Sequence, residues 1–278
     1  MFLTITPMER PLPRNPLLRM WRRVVDKINP PATEFRRIEV CGGAFTDVRV
    51  YTPGAVFPDG WRGSQRLSAW YALCPPGYDL PQGCLPAVSA ADVRRLVARV
   101  WCNTAVALLN ESGLPLSERR MGFIDPGGEY PGLLEELIRA ASEVMVCTEN
   151  RALYQGYADK LLKEYGAPVV FVEEMDRLCG VRFVLHTGPQ AVRGLGRVPV
   201  LSVWPDAGGE GGLVVRNPVF TLPQAEEVLP PGIVHDEFYA ALWERSRAAA
   251  VGQLSMCSAI CGKRVVTKEE IVQRIAQK

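Results

Sequence analysis

From Met121 onward the chain repeats one pattern, a short apolar run, a turn, and then a stretch with helical spacing. Strands are expected at Met121 to Ile124, Glu143 to Cys147, Val169 to Val172, Val181 to Leu185 and Val198 to Val203, with a sixth at Leu213 to Arg216. Helices are expected over Gly132 to Ala141 and Arg151 to Tyr165, and Gly166 stands where a helix takes its C-terminal glycine. Strands that alternate with helices form a parallel sheet with crossover connections. Runs that are apolar throughout, without alternation, belong to strands covered on both faces.

The part before it reads differently. Asn15 and Pro16 suit the start of a helix whose apolar positions are Leu17, Leu18, Trp21, Val24, Val25 and Ile28, and Asn29, Pro30 and Pro31 stop it. Phe35 to Val40 and Asp47 to Tyr51 flank Cys41-Gly-Gly as a hairpin. Ala69 to Cys74 is a third strand candidate, and a Pro/Gly-rich loop runs from Pro75 to Pro86. A helix then opens on a Ser89/Asp92 capping box, carries Val93, Leu96, Val97, Val100, Leu108 and Leu109, and ends near Gly113. The expected fold is α/β: an N-terminal mixed α/β module over residues 1–115, then a mainly parallel sheet with helices on both faces over residues 116–278. A helix over Asp236 to Ala249 and a last one capped by Thr267 and Glu270 close the chain.

Composition excludes several classes. The 278 residues carry 32 basic and 30 acidic side chains, a net +2, so nothing calls for a polyanionic partner, and no nucleic acid is expected. No apolar run reaches the ~18 residues that span a bilayer, and MFLTITPMERPLPR lacks the basic-then-apolar order of a secretory leader. A cytoplasmic protein with no membrane partner is expected. The eight cysteines are expected to be thiols. Only Cys257 and Cys261 are close, in a Cys-x3-Cys spacing without a second pair, so no metal site is expected.

Three constellations could carry chemistry. The first is the turn after the first strand, Asp125-Pro126-Gly127-Gly128-Glu129-Tyr130-Pro131-Gly132. Glycines in such a turn let amides at a helix N-terminus approach a pyrophosphate. The apolar Leu133, Leu134 and Leu137 favour a register with Asp125, Gly127 and Tyr130 at the three glycine positions of a dinucleotide turn. The other register uses Gly127, Glu129 and Gly132. A plain connecting turn is the competing reading.

The second is Thr148-Glu149-Asn150-Arg151, at the end of the second strand. The run Val144 to Gly166 resembles the second strand, Asn-Arg turn and following helix of the shikimate dehydrogenase-like Rossmann family, and the likeness extends over residues 121 to about 205. The resemblance implies a Rossmann-like fold, an NAD(P) cofactor, and a turn that faces the adenosine ribose. Glu149 would suit a ribose diol and Arg151 a 2′-phosphate, which leaves NAD against NADP open. Asn150 as a plain helix cap is the competing reading. The family's Lys–Asp pair and serine motif have no counterpart in residues 1–115, where Lys27 is the only lysine, so no catalytic residue is carried over.

The third is His186-Thr187-Gly188-Pro189, closing the fourth strand, where ligands of doubly wound sheets bind. His186 is the candidate catalytic group, against a histidine held by backbone. Trp204-Pro205-Asp206 and Gly208 to Gly212 follow the fifth strand as a lid or a solvated turn. His235-Asp236-Glu237 invites a metal or acid–base reading, but consecutive helical residues do not face one another, and Asp236 and Glu237 suit capping and the helix dipole. There is no G-x-S-x-G, no P-loop and no H-E-x-x-H.

Two functions remain. One is a nucleotide-binding oxidoreductase holding NAD or NADP over Gly127, Gly128, Thr148, Glu149, Asn150, Arg151, Thr187 and Gly188. The other is a non-enzymatic relative without cofactor, acting through protein contacts. A methyltransferase is a distant third, and a homo-oligomer is compatible with each.

Overall fold

The computed structural model describes residues 1–9, 14–28, 32–52, 70–81, 83–166, 168–206, 208–209, 212–261 and 263–277. In chain order they form β1 (Leu3–Glu9), α1 (Pro16–Ile28), β2 (Ala32–Val40), β3 (Gly43–Thr52), β4 (Tyr71–Leu73), β5 (Leu85–Pro86) and α2 (Ala90–Glu111). Next come β6 (Arg120–Ile124), α3 (Leu133–Ala140), β7 (Glu143–Cys147), α4 (Arg151–Tyr165), β8 (Val169–Val172), β9 (Phe183–His186), β10 (Val200–Ser202), β11 (Val214–Val215) and β12 (Pro218–Val219). Last are α5 (Pro223–Glu226), α6 (His235–Ser246), β13 (Ser258–Cys261), β14 (Arg264–Thr267) and α7 (Lys268–Ala276). The helix stop at Asn29 to Pro31, Ala69 of the third expected strand, and residues 210–211 of the glycine loop lie outside the described residues. Among the described residues no helix is long and apolar enough to cross a membrane.

These elements divide into two compact units, Met1–Val93 with Leu222–Gly252, and Arg94–Thr221 with Gln253–Lys278. The sequence-based split at residue 115 differs in two ways. Residues 94–115 belong to the second unit, because α2 buries Leu96, Val100, Trp101, Leu108 and Leu109, and its Trp101 Nε1 donates to the Ser202 carbonyl of β10 at 2.9 Å. Residues 222–252 return to the first unit.

The first unit holds a five-stranded sheet in the order β2-β3-β1-β4-β5. Only β2 and β3 are antiparallel. Val40 pairs with Gly43, so the hairpin turns on Cys41 and Gly42, with φ of 56° and 78°. Positive φ at both central residues suits the right-handed twist of the flanking strands, and Gly42 adopts it without a Cβ penalty. β1 was not anticipated. It runs parallel between β3 and β4 although it contains Pro7, which supplies no ladder N–H. Leu3, Ile5, Val48, Val50 and Ala72 form one core, and Phe2, Phe45 and Phe238 meet with ring centroids 5.1–6.1 Å apart. In α1, Asn15 caps the first turn through Leu17 N–H at 3.0 Å as expected. Leu17, Leu18, Met20, Trp21 and Val24 are nevertheless exposed.

The second unit holds a six-stranded, wholly parallel sheet in the order β11-β10-β9-β6-β7-β8. The first three strands in sequence run outward one way from β6 and the next three run the other way. This is the doubly wound, Rossmann-like order, and its switch point lies between β6 and β9. Register puts Gly122, Ile124, His186 and Ser202 on one face and Phe123 and Leu185 on the other. α4 covers the second face, where the Tyr154 ring meets Phe123 at 6.1 Å. The first face is covered by the 3₁₀ turn Met175–Gly180 and the 190–198 loop, through Leu178, Val192, Leu195 and Val198. A small antiparallel sheet, β12-β13-β14, precedes α7, whose Thr267 caps Glu270 N–H at 3.4 Å.

Candidate functional site

The carboxyl ends of β6 and β9 meet at the switch point, and Asp125 organises them. It follows β6 at 1% exposure. One carboxylate oxygen accepts the Tyr130 N–H at 2.9 Å and the Tyr154 hydroxyl at 2.5 Å, and the other accepts the Thr187 hydroxyl at 2.9 Å. Thr187 also donates its N–H to the Ile124 carbonyl at 2.9 Å. The turn after β6, the start of α4 and the loop after β9 are thus drawn onto one buried carboxylate. Burial, and then the charge of Asp125, push the Tyr154 phenol well above its ordinary range, so it stays a donor. Burial pushes Tyr130, 8% exposed, up to about 12.

This arrangement answers how an acidic residue can sit in a glycine turn: Asp125 faces inward and its oxygens are occupied. Gly127 is exposed, and the amides of Gly127, Glu129 and Gly132 have no partner among the described residues. Gly128 has φ of 69°, and a Cβ there would lie 2.9 Å from Asn150 Cβ, so only glycine fits. Across the switch point, a Cβ on Gly188 would lie 2.8 Å from the Pro126 ring, so the two loops pack directly together.

At the end of β7, the Asn150 side chain caps α4 by accepting the Leu153 N–H at 3.4 Å, while Thr148 Oγ1 accepts the Asn150 N–H at 3.1 Å. Glu149 and Arg151 are exposed, and Arg151 lies 5.2 Å over the Phe171 ring. The helix-cap reading of Asn150 therefore holds, and both ribose-facing candidates remain open to solvent.

His186 is placed differently from a proton-transfer group. It is fully buried, with Nδ1 3.2 Å from Ser202 Oγ and Nε2 bonded to nothing among the described residues. Burial pulls its pKa down to about 4, so it is neutral at physiological pH. The neighbouring Ser202 hydroxyl lies 3.2 Å from the Trp204 carbonyl, and Trp204 Nε1 donates to the Thr187 carbonyl at 2.7 Å. The Arg94 guanidinium carbon lies 4.9 Å from the centroid of the Trp204 ring. Asp125, Tyr154, Trp204 and Arg94 carried no distinguishing sequence signal as a group, because they lie far apart along the chain and meet only through the strand order. The lid reading of residues 208–212 is corrected in part. Val192 N–H donates to the Gly208 carbonyl at 2.9 Å, so that end of the loop is tied down.

The second histidine belongs to the first unit. His235 Nδ1 lies 2.7 Å from Asp236 and Nε2 3.1 Å from Glu226, and its ring stacks on Tyr239 at 4.4 Å. Tyr239 donates to Glu226 at 2.7 Å. Capping by Asp236 is corrected: the residue before the helix is Val234, which makes no side-chain cap, and Asp236 binds His235 instead. Among the described residues no group of three His, Cys, Asp or Glu is arranged to hold a metal ion. All eight cysteines are thiols.

No protein-family model matches the chain, and no curated protein matches it in sequence. Among solved structures, a dipicolinate synthase polypeptide from Bacillus halodurans is similar over 65% of this chain and 65% of its own, at 12% identity and a TM-score of 0.37. The Δ1-pyrroline-2-carboxylate reductase of Thermococcus litoralis, in complex with NADH and L-proline, is similar over 67% and 64%, at 14% identity and 0.30. The iminosuccinate reductase of Paracoccus denitrificans, in complex with NAD+, is similar over 66% and 63%, at 14% identity and 0.32. The chain therefore spans less than two thirds of each of these three proteins. At such scores the Rossmann-like assignment rests on the strand order itself.

Proposed function

We propose that the protein binds a nicotinamide dinucleotide across the carboxyl ends of β6 and β9 and acts as an oxidoreductase. The observation that carries this reading is the parallel order β11-β10-β9-β6-β7-β8, whose reversal sets the Gly127–Gly128 turn beside Thr187–Gly188. The uncommitted amides of Gly127, Glu129 and Gly132 at the start of α3 would face the pyrophosphate. Thr148, Glu149, Asn150 and Arg151 would face the adenosine ribose, with Glu149 suited to NAD and Arg151 to NADP. Thr187 would line the site without donating to the ligand, because its hydroxyl is committed to Asp125 and its N–H to the Ile124 carbonyl. When bound, the nicotinamide supplies hydride transfer. Because His186 is buried, proton transfer to a substrate is not assigned to it.

A second reading, a cofactor-free relative acting through protein contacts, draws on the same place. The Asp125–Thr187 bond and the contact of Gly188 with Pro126 tie together the two loops between which a pyrophosphate would enter. One titration separates the two. A Cβ on Gly127 would meet nothing nearer than the flexible Glu129 side chain at 3.4 Å, so Gly127→Val adds bulk over the turn and leaves the fold intact. With ligand about a hundredfold above its Kd, NAD or NADP should stabilise the wild-type chain by roughly 3 kcal/mol, a rise of about 5–10 °C in Tm, and Gly127→Val should not respond. Absence of any rise with NAD, NADP or their reduced forms would leave the second reading standing.

A further inference from the structure

Among the described residues Arg94 has no counter-ion. It opens the second unit within α2, and among the described residues it makes no ion pair and no hydrogen bond. Its Nε is buried and donates to nothing. Arg94 as a whole is half-buried, and a buried donor such as its Nε is costly to leave without an acceptor, which an incoming oxyanion would supply. Arg94 also has an aromatic neighbour. The guanidinium carbon lies 4.9 Å from the centroid of the Trp204 ring, and Trp204 Nε1 donates to the Thr187 carbonyl, next to the Asp125 network. The positive charge of Arg94 reaches Tyr130 in the turn after β6, where it partly offsets the upward pull of burial on that phenol.

We infer that Arg94 is the receptor for an oxyanion at the switch point, with Trp204 as the platform that presents its fork. A guanidinium offers two parallel N–H donors in the geometry of a carboxylate or a phosphate. The inference deepens the cofactor reading and rests on it for the identity of the anion, which is either the carboxylate of the substrate or a phosphate of the nucleotide. Its test does not depend on a cofactor. Thermal unfolding of the full chain is followed with oxalate as the carboxylate probe and inorganic pyrophosphate as the phosphate probe, each against sodium chloride at matched ionic strength.

Wild-type protein should be stabilised by one probe beyond the chloride control, and the effective probe names the source. Arg94→Gln should weaken that probe roughly tenfold or more, and Arg94→Lys, which keeps the charge and loses the fork, should restore only part of it. Trp204→Leu, which removes the platform, should also weaken it. Equal curves in oxalate, pyrophosphate and chloride overturn the inference, and so does an unchanged response in Arg94→Gln. Failure of the cofactor reading has a different signature: anion stabilisation that persists in a protein blind to every nicotinamide nucleotide.

Discussion

His186 and His235 put the same side chain to opposite uses. His186 ends β9 inside the second unit, touches one hydroxyl, leaves Nε2 unbonded, and is held neutral by burial, with its pKa near 4. His235 opens α6 in the first unit. There burial also favours the neutral ring, but the hydrogen bonds and charges of Asp236 and Glu226 outweigh it, and the pKa rises above the ordinary value. Each unit also holds a carboxylate–tyrosine pair near its histidine: Asp125 with Tyr154 at 2.5 Å, and Glu226 with Tyr239 at 2.7 Å. Exposure separates the two regions. Asp125 is sealed and spends its charge on three donors of the fold, whereas the Glu226 side chain is 37% exposed and shares its charge with a titrating ring. Sealed charge fixes architecture, and half-exposed charge follows pH.

The strongest test of this contrast removes the two carboxylates in turn. Asp125→Ala leaves the Tyr154 hydroxyl, the Thr187 hydroxyl and the Tyr130 amide without their acceptor, and each orphaned donor costs about 1–3 kcal/mol. A total loss of about 4 kcal/mol is expected in urea unfolding. Glu226→Ala should cost under about 1 kcal/mol, because solvent replaces what it loses. Equal losses at the two sites would dissolve the distinction.

Acid sharpens the contrast at the next level. The folded protein binds a proton at His186 only near pH 4, while an unfolded histidine binds one near pH 6.5. Between those values the unfolded state holds more protons, so His186 lowers stability as pH falls through this window, by up to roughly 3 kcal/mol. Against wild type, His186→Leu should flatten the stability profile between pH 6.5 and about 4. Parallel profiles for the two proteins would show that the ring is reached by solvent.

What was legible in the sequence follows from how local each signal is. The strands β6 to β9 and the helix Arg151–Tyr165 were readable because unbroken apolar runs and a glycine stop are local features, as was the Cys41–Gly42 turn. β1 was hidden by Pro7, which argues against a central strand unless the partner strands are known. β13 and β14 are four residues each, too short for a periodic signal, and β13 is further held by bonds from Arg216 and Asn217 some 43–45 residues earlier. Gly127 and Gly128 are proposed from the turn after the first strand and Gly188 from the end of the fourth, both local features. The inward orientation of Asp125 could not be read this way, because its partners Tyr154 and Thr187 lie 29 and 62 residues away. The burial of His186 was equally out of reach, since its ring meets Ser202, 16 residues further on, only through the pairing of β9 with β10.

The smallest expected effect has the opposite sign to that of His186. The folded pKa of His235 lies above the unfolded value near 6.5, so its contribution is complete below pH 6.5 and is lost as pH rises through the folded pKa. The side chains of His235, Glu226 and Asp236 are 32%, 37% and 45% exposed, so solvent screening keeps the contribution below about 1 kcal/mol. Nuclear magnetic resonance resolves it better than unfolding does, because the chain contains just two histidines. One imidazole should titrate with a midpoint above 6.5, and the other should stay neutral until the pH approaches 4. Asp236→Asn should lower the first midpoint and leave the second unchanged, because Asp236 bonds His235 alone of the two rings. If both rings titrated near 6.5, neither the carboxylates around His235 nor the burial of His186 would be acting as the structure requires.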